Sequence, residues 1–291
     1  MSRKTIVGIV IIAVAGSFFA RRAGAKRPAS RQYPGIYTEK VDSVPDMTQT
    51  DPAAKLPNGG RSHCGPVAVS NSLMWLAGNG FENLSPNLQE PGKAHFEIAR
   101  SLGSKKYMNT NLETGTGAGG VLEGLARYID DKGYEYSYLK FQGWRKHPER
   151  FGLGEPIPDL NWLKSGIEGN SAVSLNIGWY EYNPSTNEYA RIGGHWVTLV
   201  GYGVDEKGKA DPAILIIHDP APRGGKNPHD YVRMELIDAG RLTGRQSGLP
   251  RSAKGYYKMT GGMHVKKTAD FGILDCAVVL KMNDKTAKMQ R

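Results

Sequence analysis

The chain has 291 residues, 39% of them apolar, and a formal charge of +10; that apolar share supplies a sizeable core and excludes a disordered polymer. Glycine, at 37 residues, is well above its ordinary share of about 7%, which predicts long loops in one large domain. Two cysteines, Cys64 and Cys276, exclude a disulfide framework and a CxxC metal pair.

Arg3 and Lys4 precede an uninterrupted apolar or small stretch, Ile6 to Ala20, and "AGA" at Ala23 to Ala25 offers a small-x-small cleavage site. Residues 1–25 are therefore predicted to be an export signal. The stretch is shorter than the ~20 residues of a spanning helix, although the positive charges from Arg21 to Arg31 leave a membrane anchor open as the alternative. Removing residues 1–25 deletes four basic and no acidic side chains, taking the charge from +10 to +6. The remaining Lys and Arg are scattered, which argues against nucleic acid and leaves room for transient association with an anionic cell envelope.

Residues 26–55 are polar and proline-rich and read as a linker or an arm lying on the domain. The domain is predicted over 56–283, with a tail at 284–291. From Pro66 the apolar spacing fits a helix, so Cys64 stands at or just before a helix N-terminus. Further helices fit 92–103, 119–133 and 160–170. Strands fit 171–182, 194–205, 213–221 and 271–282, the second and third joined as a hairpin by an Asp-Glu-Lys-Gly-Lys turn. A Gly- and Pro-rich excursion, 222–262, separates the last two. Helices first and antiparallel strands last give an α+β class.

A thiol at a helix N-terminus meets free N–H groups and the positive end of the helix dipole, which favour the thiolate. His195, at a strand mouth after two glycines, is placed to take the thiol proton and return it to a leaving amine. Asp219 ends the next strand of the hairpin, at the same end of the sheet, and is placed to orient the imidazole. Cys276 lies in an apolar β-branched run and reads as a buried, unpaired thiol. "GTGAGG" contains G-x-G-x-x-G but lacks a strong preceding strand, so it reads as a loop flanking the cleft rather than a dinucleotide site. His63 reads as a surface residue, and His218 as pointing to the sheet face opposite Asp219. His229 and His264 lack metal-ligand spacing. Trp179, Tyr180 and Trp196 either line a substrate groove or pack.

"SHCGPVAVSNSLMWLA", "GGHWVTLVGYG" and "IIHDPA" together resemble the papain-like cysteine peptidases, most closely the branch of the bacteriocin double-glycine leader peptidases and their free-standing relatives, over about 56–280. The resemblance implies N-terminal helices packed on an antiparallel β-sheet, and a Cys64–His195 pair oriented by Asp219. Its members carry a glutamine six residues before the cysteine as oxyanion donor; here that position is Asn58, which keeps the amide on a shorter arm. "PNGG" is equally a good turn sequence. No transporter segment accompanies the domain. The expectation is an exported, monomeric cysteine hydrolase acting on a peptide or protein substrate, with no cofactor and no metal. A thiol acyltransferase and a catalytically silent peptide-binding module are the alternatives.

Overall fold

Apolar residues alternate in three consecutive segments: Val173, Leu175 and Ile177, then Val197 and Leu199, then Leu215 and Ile217. Period-two alternation puts each set on one face of its strand, and here all three turn toward a shared interior. The computed structural model describes residues 35–222, 230–245, 248 and 250–283. The predicted export segment 1–25, the tail 284–291 and His229 lie outside the described residues.

Among the described residues there are four α-helices: α1 (Cys64–Gly78), α2 (Pro91–Gly103), α3 (Ala118–Asp131) and α4 (Leu160–Ile167). Nine strands follow or separate them: β1 (Tyr136–Gly143), β2 (Ser171–Asn183), β3 (Glu188–Val204), β4 (Ala210–His218), β5 (Asp230–Leu236), β6 (Arg241–Thr243), β7 (Arg251–Ser252), β8 (Tyr257–Gly261) and β9 (Phe271–Met282). Strands β2, β3, β4, β5, β8 and β9 pair antiparallel in that order, and β9 returns to β2, closing a six-stranded barrel. Strand β1 adds to β9, and β6 adds parallel to β3 with β7 beyond it.

This corrects the expected fold. The papain-like α+β arrangement of N-terminal helices packed on an antiparallel β-sheet is not what forms: the described residues are mostly β, a closed barrel with extra strands and four short α-helices. The excursion 222–262 carries the difference, because β5 and β8 lie within it and complete the ring between β4 and β9. Its glycines and prolines hide the alternation, and the contacts that close the ring are non-local. Strand β1 was likewise unexpected. Leu163 and Ile167 of α4 join the barrel-interior cluster, while α1, α2 and α3 pack among themselves and against β1, β9 and Trp196 of β3.

Residues 37–49 run across the barrel. Tyr37 bridges to Tyr202 on β3, and Val41 and Val44 are buried against Val200, Val204, Ile214 and Ile216. Lys40, 2% exposed, donates its Nζ to the carbonyls of Ile167, Gly169 and Ser171 at 2.5, 2.8 and 2.7 Å, closing the last turn of α4.

Candidate active site

Along one edge β3 pairs with β6 only as far as Ala190 and with β4 only from Thr198 onward. His195 lies in the gap between them. Asp219 immediately follows His218, the last residue of β4 to pair with β3, so it stands beside the same gap. His195 Nε2 donates to Asp219 Oδ1 at 2.6 Å, with His195 3% and Asp219 2% exposed.

Asp219 is fully engaged. Its Oδ1 also accepts the Ala221 N–H at 2.8 Å, and its Oδ2 accepts the His264 N–H at 2.8 Å. Burial by itself pushes a carboxyl up; the His195 charge and these hydrogen bonds outweigh it and hold Asp219 below the usual carboxylate range. Burial likewise disfavours the charged imidazole, yet the Asp219 carboxylate, with the hydrogen bond that the charged ring gives to Cys64 sulfur, outweighs burial and raises His195 above the ordinary histidine value. With Nε2 committed to Asp219, Nδ1 is the nitrogen left for the Cys64 thiol.

Cys64 opens α1 and is 8% exposed. In the first turn of α1 Pro66 has no N–H and Val67 donates to the His63 carbonyl, so the amides left beside this thiol are those of Cys64 and Gly65. Two contacts fix the helix start. The Ser62 hydroxyl donates to the Leu112 carbonyl at 2.5 Å, and Trp196 Nε1 donates to the Thr116 carbonyl at 2.8 Å. Gly65 packs closely between them: a Cβ there would lie 3.1 Å from the Thr116 Cβ and 3.4 Å from the Trp196 ring, a tight fit. The "GTGAGG" loop thus flanks Cys64, and Gly117 caps α3.

Trp179 stacks on the His195 ring at 5.5 Å between centroids and 16° between planes, and its edge meets His264 at 5.7 Å. Tyr180 and Trp196 are buried. Behind the site, a bulge in β9 opposite Asn176 and Ile177 turns Asp275 inward, fully buried. Its carboxylate pairs with Arg191 Nε at 2.6 Å and accepts from the Tyr180 hydroxyl at 2.7 Å and Trp144 Nε1 at 3.1 Å. Arg191 presses on the backbone of Gly194, next to His195: a Cβ on Gly194 would lie 2.3 Å from Arg191 Nη2.

Asn58 takes no part in the hydrogen bonds that join Cys64, His195 and Asp219. It is exposed, with φ +51°, in a tight turn whose Asn58 carbonyl accepts the Arg61 N–H. His63, expected at the surface, is 2% exposed, caps α1 and packs beneath Gly103. His218 is buried, with Nδ1 3.4 Å from the Pro45 carbonyl. Cys276 is buried and free; burial, then the adjacent Asp275 carboxylate, push its thiol well up.

Sequence reading missed the roles of His264, which reaches Asp219 through its backbone, and of Arg191 and Asp275, whose pairing spans 84 residues and leaves no local pattern. Two open clefts among the described residues, of about 410 Å³ beside Trp75 and about 250 Å³ beside Leu236, are lined by none of the three clustered residues. Among the described residues no group of three or more His, Cys, Asp and Glu is arranged to hold a metal, and no helix is long and apolar enough to cross a membrane. No protein-family model matches the chain. No curated protein matches it either.

Proposed function

We propose that the protein is a cysteine hydrolase of peptide or other amide bonds. One observation carries the reading: a buried imidazole bonded through Nε2 to a carboxylate at 2.6 Å and interacting with the Cys64 thiol at a helix start. His195 takes the Cys64 proton, and the sulfur attacks the amide carbonyl carbon. The Cys64 backbone N–H faces the developing oxyanion, and the exposed Asn58 amide is the proposed second donor. The imidazolium then protonates the amine nitrogen as the C–N bond breaks, leaving a thioester on Cys64. Water, deprotonated by His195, attacks the thioester carbon, releasing the acid and returning the thiol.

The motifs around Cys64, His195 and Asp219, with their likeness to the papain-like cysteine peptidases, favour a peptide or protein substrate. Residues 1–25 favour export, with action on substrates outside the cytoplasm. Treating folded protein with limiting iodoacetamide at pH 6 and mapping the adducts by mass spectrometry tests the nucleophile without a known substrate. Cys64 should label ahead of Cys276 and faster than a free thiol peptide, and His195→Ala should slow it. A Cys64 that labels no faster than the peptide would overturn the reading.

A further inference from the structure

Asp219 and Cys64 are 155 residues apart, and one residue, through its backbone on one side and its side chain on the other, ties the turn after the first to the turn before the second. The Gln49 backbone N–H donates to the Pro220 carbonyl at 2.7 Å, and Thr48 Oγ1 reaches the Pro220 and Ala221 carbonyls at 3.3 and 3.4 Å. From the same residue, Nε2 donates to the Gly60 carbonyl at 2.9 Å and the Arg61 carbonyl at 3.0 Å. Gly60 in turn accepts the N–H of His63, the cap of α1, at 2.9 Å. An unbroken path of short hydrogen bonds therefore runs from Asp219–Pro220 through Gln49 to the residue before Cys64.

The contact is built closely. Gly60 has φ +78°, and a Cβ there would fall 1.7 Å from the Gln49 carbonyl oxygen, so only glycine lets the two backbones meet. Gln49 is 6% exposed, and its Oε1 is buried without a hydrogen-bond partner. A buried acceptor left unmade is unfavourable. A side chain chosen for burial alone would be apolar; the amide is kept for its two donor bonds.

We infer that Gln49 is a positioning residue, holding the Asp219 turn and the Cys64 approach in register so that thiol and imidazole meet. The inference rests on the hydrolase reading for its purpose and on the hydrogen bonds alone for the tie. Other links join α1 to the barrel, such as Thr198 Oγ1 to the Ala68 carbonyl at 2.7 Å. That bond holds the helix body, and Ser62 Oγ to the Leu112 carbonyl holds the residue before His63. Gln49 holds Gly60 and Arg61, the approach to the first turn of α1, and ties that approach to the Asp219 turn.

The test compares unaltered protein, Gln49→Met and Ile129→Val, a buried α3 substitution that lowers stability away from the site. Cys64 labelling by iodoacetamide at pH 6 should slow about tenfold in Gln49→Met, the effect of roughly one tenfold step in a rate constant, and stay unchanged in Ile129→Val. Equal labelling of Gln49→Met and unaltered protein overturns the positioning role. The isosteric Gln49→Glu gives a second reading if Gln49→Met does not fold. Its protonated acid can still donate, whereas its carboxylate repels both carbonyls, so its labelling relative to unaltered protein should fall from pH 5 to pH 8; a constant ratio overturns the role.

Hydrogen exchange read by mass spectrometry judges the tie separately from the chemistry. In whichever variant folds, Gln49→Met or Gln49→Glu at pH 8, exchange should rise in both 60–66 and 218–222. A rise confined to 60–66 overturns the tie even if unaltered Cys64 labels fast. If unaltered Cys64 labels no faster than a free thiol peptide, the hydrolase reading and the catalytic purpose of the tie both fall.

Discussion

Asp219→Asn separates a charged orienting group from a merely shaped one. The carboxylate accepts three N–H groups, from His195, Ala221 and His264, at 2.6, 2.8 and 2.8 Å, and a carboxamide of the same size has one oxygen for them. If its NH2 replaces Oδ2, it faces the His264 N–H, donor against donor. If it replaces Oδ1, it faces both Ala221 and His195 and drives the imidazole to the tautomer with its proton on Nδ1, the nitrogen needed as base. In either arrangement the charge opposite His195 is gone. A hydrogen bond to a charged group contributes about 1.5–3 kcal/mol, and each 1.36 kcal/mol is a factor of ten in rate. Cys64 labelling by iodoacetamide at pH 6 should therefore slow about 10- to 150-fold. The mispaired donor should lower unfolding stability by about 1–3 kcal/mol. Labelling within twofold of unaltered protein, in a variant whose circular dichroism is native, would refute the claim that Asp219 sets the state of His195.

The same pair predicts a pH window for stability. Asp219 is depressed, so its contribution is present above the unfolded aspartate value of about 3.9 and lost as pH falls through the folded one. His195 is raised, so its contribution is present below about 6.5 and lost as pH rises through the folded value. The stability difference between unaltered protein and Asp219→Asn, from urea unfolding, should be greatest between about pH 4 and 6.5 and shrink on both sides; a constant difference from pH 3 to 9 contradicts this. Behind the site, Asp275→Ala leaves Arg191, 4% exposed, without its carboxylate and should cost about 3–5 kcal/mol. Replacing both, as Asp275→Leu with Arg191→Met, should recover part of that loss, and a single-variant cost under about 1 kcal/mol would show the pair to be dispensable.

Local chemistry made some of this protein legible in its sequence. The apolar run after Pro66 marks α1, a helix buried on all its faces, and Cys64 opens it. Alternation and a polar five-residue turn mark the β3–β4 hairpin, whose geometry brings Asp219 to His195. These features depend on neighbours a few residues away, so periodicity and turn composition reveal them. What the tertiary structure alone decided depends on distant partners. Closure of the barrel needs β5 and β8, short strands inside a glycine- and proline-rich segment, to find β4 and β9, and nothing in their own spacing announces it. Asn58 is the exception, since its turn is legible in "PNGG" and only its exposure is not. Gln49 sits in a polar stretch with no period, and Asp275 in an apolar run that reads as plain strand. The first acquires its place when two turns 160 residues apart meet on its hydrogen bonds, the second when a bulge turns it toward Arg191. A pattern along the chain records which face a residue takes, and only the closed barrel decides what that face meets.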